Sequence, residues 1–237
     1  MGIKSISPYL PKSHIIDYLD FVKRSVAYRV WRRRLEKDAR ITKKSSFKFL
    51  EVGCGPGYFL RCLEKWFPNA DLYGLDSDKS LIDFASGALK RVTLLHDDGH
   101  ILPFSSAFFD IIGALQVIEH LENPETFLKE ANRVLKTRGI LLLSTPNPDG
   151  ICAKILGNKW QGIRHDHVSL KTPKEWREIF HKAGFVVIRE GTTGLTGFGI
   201  LKIFPFSLLN HIPMLLWGFF PWDKGESYMV VMRKFDS

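Results

Sequence analysis

Two groups of residues in this chain of 237 have the types and spacing of working chemistry. The first is Glu51 with Gly53, Gly55 and Gly57, where an apolar run from Phe47 to Val52 breaks into a turn. Glycines in series let a chain turn without a Cβ, let a ligand approach the backbone, and aim the following helix at that ligand. The spacing differs from the G-x-G-x-x-G of dehydrogenases, because Gly57 is followed by Tyr58. A carboxylate at Glu51 would also meet a cationic amine better than a pyrophosphate. The second group is Glu119 and His120, with His165 and His167 further on. A carboxylate and one or two imidazoles suit a general base that takes a hydroxyl proton, or a divalent cation with open coordination positions.

The elements that must position these groups are readable from periodicity. Phe59, Leu60, Leu63, Trp66 and Phe67 recur at helical spacing after the glycines, so the first group sits on a strand, turn and helix. Asp71 to Leu75 gives a second strand ending in Asp76. An acid there can accept from both hydroxyls of a ribose, or else cap the next helix, a role open also to Ser77 and Asp78. Leu81, Ala85, Ala88 and Leu89 mark that helix, Val92 to Leu95 a third strand, and Phe109 to Ile112 opens a fourth. Asn123 and Pro124 start a helix that the pattern carries to Leu135 and Gly139 ends, and Ile140 to Leu143 is a fifth strand. Thr172, Pro173 and Glu175 form a capping box, Phe185 to Ile188 a sixth strand, and Tyr228 to Met232 a last one.

The run E-x-G-x-G-x-G over Glu51 to Gly57 resembles motif I of the class I S-adenosylmethionine (SAM) methyltransferases. The resemblance implies an α/β fold, a doubly wound, seven-stranded, mostly parallel Rossmann-like sheet whose last strand is antiparallel. It implies SAM as cofactor, with the amine at Glu51, the glycines as floor, and Asp76 on the ribose with Ser77 beside it. In that family an acid four residues before a Leu-Pro-Phe takes the adenine amino group. Here it is Asp98, ahead of Leu102-Pro103-Phe104, with Asp97 the neighbour open to confusion. Phe109-Asp110-Ile111-Ile112 is a further family signature. Glu119 and His120 then fall where such a fold puts the methyl acceptor, and His167 can arch over the same place.

Val117-Ile118-Glu119-His120 with Asp166-His167 looks like elements shared by the ubiquinone-biosynthesis O-methyltransferases and the small-RNA terminal 2′-O-methyltransferases, where they bind a divalent metal. Gln116 stands where their first glutamate would be, and a neutral amide is a poorer ligand for a hard cation. A divalent metal therefore stays open as an alternative but is not favoured. Gln116 is assigned to the methionine end of the cofactor, Glu119, His120 and His167 to catalysis, and His165 is a bystander. An N-P-P-Y type motif after strand four is missing, which disfavours exocyclic base methylation.

Hydrophobic residues make up 45% of the chain, enough for one sizeable core and too little for two α/β domains. We expect an arm and helical cap over 1–45 and the methyltransferase domain over 46–237, with 195–222 a hydrophobic insertion. Arg29, Arg32, Arg33 and Arg34 surround Trp31, as a solvated face or as contacts to phosphate or lipid headgroups. The net charge of +9 suits an anionic substrate or surface, or serves solubility. Three cysteines without a C-x-x-C pair indicate neither a disulfide framework nor a thiolate zinc site, and fit a cytoplasmic protein. Lys202, Asn210, His211 and three prolines interrupt 195–222, so it falls short of the roughly 20 apolar residues of a membrane span. It reads as a lid over substrate, a membrane-surface element or a dimer face. The expected function is O-methylation of a small or lipid-linked acceptor. The alternatives are a saccharide or nucleic-acid hydroxyl, a nicotinamide oxidoreductase, and a non-catalytic SAM-binding protein. No RNA-binding module is recognisable, so nucleic acid is not expected as a partner.

Overall fold

The computed structural model describes Leu10, residues 14–195, Phe220 and residues 223–235, and for 14–23, 25 and 26 the backbone alone. The arm expected over 1–12 lies outside the described residues apart from Leu10, as does the insertion over 195–222 apart from Leu195 and Phe220. Strand β1 (Lys48–Val52) is the middle one of the five parallel strands of a seven-stranded sheet. Beside it lie β2 (Asp71–Asp76) and β3 (Val92–His96) on one flank, and β4 (Phe109–Leu115) and β5 (Leu135–Pro146) on the other. Strands β6 (Phe185–Thr192) and β7 (Ser227–Lys234) complete the order β3-β2-β1-β4-β5-β7-β6. The first five strands run parallel, and β7 inserts antiparallel to both β5 and β6. The expected architecture holds, including the direction of the last strand.

Side-chain alternation along the strands loads both faces. In β5, Ile140 and Leu142 face one apolar layer while Leu141 and Leu143 face the other. The first layer is covered by α1 (His14–Asp38), α2 (Tyr58–Trp66) and α3 (Lys79–Ala88), through Val30, Trp31, Leu35, Phe59, Leu63, Ile82 and Ala85. The second is covered by α4 (Pro124–Val134) and α6 (Pro173–Lys182), through Phe127, Leu128, Ala131, Trp176 and Phe180. Each such side chain, fully buried, contributes roughly 1.5–3 kcal/mol relative to exposure. The short α5 (Ile151–Leu156) follows β5. Caps set the helix starts. Asn123 accepts from Thr126 N at the head of α4, and Thr172 and Glu175 close a reciprocal capping box on α6. Among the described residues no helix is long and apolar enough to cross a membrane.

Two expectations are corrected. Helix α4 stops at Val134, and Gly139 lies inside β5 instead of ending the helix. Leu135 leaves the helix because it pairs with Phe109 across the sheet, and the register then slips before Ile140 pairs with Ile111. The slip needs Arg138 at φ 62 and a glycine next to it, since a Cβ on Gly139 would sit 2.8 Å from Lys136 O. Arg34 is not part of a solvated or headgroup-binding face. It is 5% exposed and pairs with Asp38 at 3.5 Å, and Asp38 also takes Arg189 at 3.2 Å. Trp31 is in the core.

Candidate active site

A cleft of about 1100 Å³ opens along the carboxyl ends of the parallel strands, where a doubly wound sheet binds its ligands. Its floor is the turn between β1 and α2. Gly53, Gly55 and Gly57 all have positive φ, at 68, 53 and 78°. A Cβ on Gly53 would come 2.4 Å from Val117 and one on Gly57 2.6 Å from Leu89, so these two glycines close the turn on the protein itself. A Cβ on Gly55 would meet no protein atom, and Gly55 lines the cleft. It leaves room that a ligand would take.

Asp76 borders this floor. Its Oδ2 accepts from Gly55 N at 2.7 Å and its Oδ1 from Asp78 N at 2.9 Å, which ties the turn to the start of α3. The helix cap itself is Asp78, which accepts from Ser80 N, so Asp76 is free of that role. Ser77, Asp97, Asp98 and Gln116 share the same wall. Asp97 turns back to Gly99 N at 2.8 Å, and the exposed Asp98 accepts from His100 N at 3.0 Å. Gln116 has φ 60, an uncommon conformation for a residue with a side chain. Its amide N donates to Ser144 O at 2.8 Å and its Nε2 to Ser144 Oγ at 3.2 Å. Glu51 and Gly57 are not on the cleft surface. Glu51 lies beneath the turn, 5% exposed, with Oε2 lacking a protein donor, and burial and the nearby Asp76 hold its carboxyl well above the usual range.

At the end of β4 a single helical turn, Ile118–His120, presents Glu119 and His120, and the loop before α6 returns His167 to them. One ligand-capable atom from each of these three lies within 4.8 Å of the others. The His120 and His167 rings meet edge to face at 4.8 Å. Nδ1 of His120 is 2.9 Å from Asp166 O and Nδ1 of His167 is 2.7 Å from Gly162 O. A carbonyl only accepts, so each Nδ1 carries the hydrogen and each neutral ring keeps its lone pair on Nε2. Asp166 reinforces His120 from 3.5 Å, and its bidentate pairing with Arg164 holds its own carboxyl down at about 2. Burial lowers the pKa of His167, which keeps it neutral at pH 7.

Glu119 is wholly buried, and neither carboxylate oxygen has a partner in hydrogen-bonding geometry. Burial pushes its pKa up to about 7, and the nearby Thr145 hydroxyl offsets only part of that rise. His165 is exposed and does not line the cleft, as a bystander should not.

The sequence patterns missed Glu226, Gln161 and Arg24, all of which line the cleft. Glu226 was findable by strand polarity. Because β7 runs antiparallel to β5 with Ser227 opposite Pro146, the residue entering β7 lands on the edge where the parallel strands end. Arg24, over the ring of Tyr58 at 5.7 Å, had no such signal, since nothing in the helix pattern says which turn reaches the cleft.

A family model described as a methyltransferase domain matches residues 22–190, a span that holds the glycine turn, Asp76, Asp98, Gln116, Glu119, His120 and His167. The chain belongs to that methyltransferase family. Its α/β fold and its motifs are those of the class I, SAM-dependent methyltransferases. A malonyl-[acyl-carrier protein] O-methyltransferase of Legionella pneumophila is 30% identical over 140 residues, 57% of this chain. The match spans 49% of that relative's length. A demethylmenaquinone methyltransferase of Staphylococcus aureus is 25% identical over 186 residues, 68% of this chain and 76% of that protein. The fold is similar to a chain of the complex between the Haloferax volcanii Trm112 methyltransferase activator and a methyltransferase, with TM-score 0.65, 18% identity, and coverage of 93% and 95%. It is also similar to a SAM-dependent methyltransferase of Thermotoga maritima, with TM-score 0.64, 17% identity, and coverage of 94% and 96%. The family's cofactor is SAM, and the open space over Gly55 beside the Asp76 carboxylate suits a nucleoside.

Proposed function

We infer that this methyltransferase moves the methyl group of SAM to a hydroxyl of a small or lipid-linked acceptor. The observation that carries the reading is the convergence of Glu119, His120 and His167 beside the glycine-floored cleft. Bound SAM would supply a methyl group on a sulfonium, so the chain has chiefly to align an acceptor and keep water away. Gly53 and Gly55 form the floor, Gly57 closes the turn behind it against Leu89, Asp76 and Ser77 hold the ribose, Asp98 the adenine and Gln116 the methionine end. Glu51 acts from beneath the turn, where its unpartnered Oε2 is available to the amine. Nε2 of His120 or His167 receives the acceptor's hydroxyl proton, and Asp166 and Gly162 fix the tautomers that leave it available. Residues 1–45 cap the unit formed by 46–237. Relatives named for malonyl-[acyl-carrier protein] and demethylmenaquinone support a small or lipid-linked acceptor, without bearing on the hydroxyl. An apolar tail would lie along 195–222, which would also give a cytoplasmic enzyme peripheral contact with a membrane.

The test is incubation of labelled SAM with cell extract and the intact enzyme. A methylated product from the wild type is expected, with loss of 10²- to 10⁴-fold in rate for His120→Ala or His167→Ala. No product, or full activity in both variants, would remove the reading. The same convergence favours a second reading, a divalent cation held by Glu119, His120 and His167 that stabilises the alkoxide. Activity that survives exhaustive chelation would exclude it.

A further inference from the structure

Glu226 stands on the acceptor side of the cleft, and the reaction above makes no use of it. Its side chain is part of the cleft wall yet only 4% exposed. Oε1 accepts from Trp160 Nε1 at 2.7 Å and from Gln161 Nε2 at 2.8 Å, whereas Oε2 has no donor. The backbone is held just as firmly. Its amide donates to Gly194 O at 3.1 Å, and its carbonyl accepts from Asn147 N at 2.9 Å. Asn147 Nδ2 donates to the preceding Gly225 O at 2.9 Å. A buried carboxylate oxygen without a donor is costly to leave so, and a side chain so constrained cannot turn to find one.

Glu226 is also tied to the histidines. Trp160 and Gln161 bind Glu226, the carbonyl of the next residue, Gly162, orients His167, and His167 packs on His120. One short loop therefore joins two proton-accepting positions on the cleft wall.

We propose that Glu226 binds a second hydrogen-bond donor of the methyl acceptor, a hydroxyl or an ammonium, so that the acceptor carries two donor groups and is not a simple alcohol. The proposal rests on the methyl-transfer reading for which group is methylated. It is tested first by binding, without turnover. The probes are cyclohexanol, cis-cyclohexane-1,2-diol and trans-2-aminocyclohexanol, titrated into the full chain saturated with S-adenosylhomocysteine and followed by ligand-observed NMR. At least one two-donor probe should bind roughly 10-fold or more tightly than cyclohexanol. Glu226→Gln, which presents a donor where Oε2 stood, should lose that preference without changing cyclohexanol binding. Glu226→Asp, which withdraws the oxygen by one methylene, should lose it too and serves if the glutamine variant fails to fold. Equal binding of all three probes to the wild type, or a preference that survives in the variants, would overturn the proposal.

The diol and the amino alcohol separate the hydroxyl from the ammonium. With the acceptor recovered from extract, Glu226→Gln should raise KM by about 10- to 100-fold and leave kcat within about 3-fold. A fall in kcat at unchanged KM would indicate a purely structural residue and overturn the proposal. Absence of any methylated product would sink the methyl-transfer reading alone, because the binding preference is read independently.

Discussion

A carboxylate with no hydrogen-bonding partner, wholly buried at the end of β4, makes Glu119 a reporter of its surroundings. Its pKa is about 7 in the folded chain against an ordinary 4.5, so between those values the folded state holds the proton more tightly than the unfolded one. The stability this gives is complete below about pH 4.5, is lost as pH rises towards 7, and stays lost above. The shift corresponds to a contribution on the order of 3 kcal/mol. Glu119→Gln cannot ionise, so relative to the wild type it should gain on that order of stability between pH 4.5 and 7.5 in urea unfolding with chelator present. A difference that stays flat with pH would mean the carboxylate already has a partner in solution. The sequence marked Glu119, because an acid beside a histidine after an apolar strand is visible in one dimension. It could not mark the isolation of Glu119, which depends on Thr145, on Ser169 N donating to its own carbonyl at 2.9 Å, and on a loop some 45 positions away.

At the scale of elements, α1 shows what periodicity alone leaves out. Its arginines look like one basic surface in sequence, yet Arg34 turns inward and Asp38 gathers Arg34 and Arg189, while the Asp38 carbonyl takes Arg233 at 3.3 Å. The end of α1 is thereby fastened to β6 and β7, strands about 150 and 195 positions later. Asp38→Ala would leave the Arg34 guanidinium buried without its carboxylate, at a cost of about 3 kcal/mol. For a domain of this size the melting temperature should fall by roughly 6–12 °C. A fall of under about 2 °C would show the cluster to be no more than surface pairing. The boundary between α4 and β5 was illegible for a related reason. Val134 and Leu135 suit either element, and only the partner strand, through Phe109, decides between them. The strand, glycine turn and helix around β1, by contrast, are fixed by residues next to one another, and they were legible residue by residue.

Across the whole molecule, the location of the cleft follows from strand direction. Five parallel strands deliver their carboxyl ends to one edge, and the antiparallel β7 adds its beginning to that edge. The parallel part of this order, β3-β2-β1-β4-β5, is shared with sheets that bind a nicotinamide cofactor, so those strands do not choose the ligand; the turn does. Gly53 and Gly57 are closed against Val117 and Leu89, and Glu51 lies under the turn where a pyrophosphate would meet a buried acid. A sulfonium nucleoside with a free amine should therefore bind the native state, and NAD should not. Ligand at 100 times its dissociation constant stabilises a single site by about 2.7 kcal/mol. In a unit of this size that raises the melting temperature by roughly 5–11 °C. SAM and S-adenosylhomocysteine should each give such a shift in calorimetry, and NAD at the same concentration none. A shift with NAD alone would return the glycine turn to dehydrogenase chemistry and leave Glu119, His120 and His167 without a methyl group to receive.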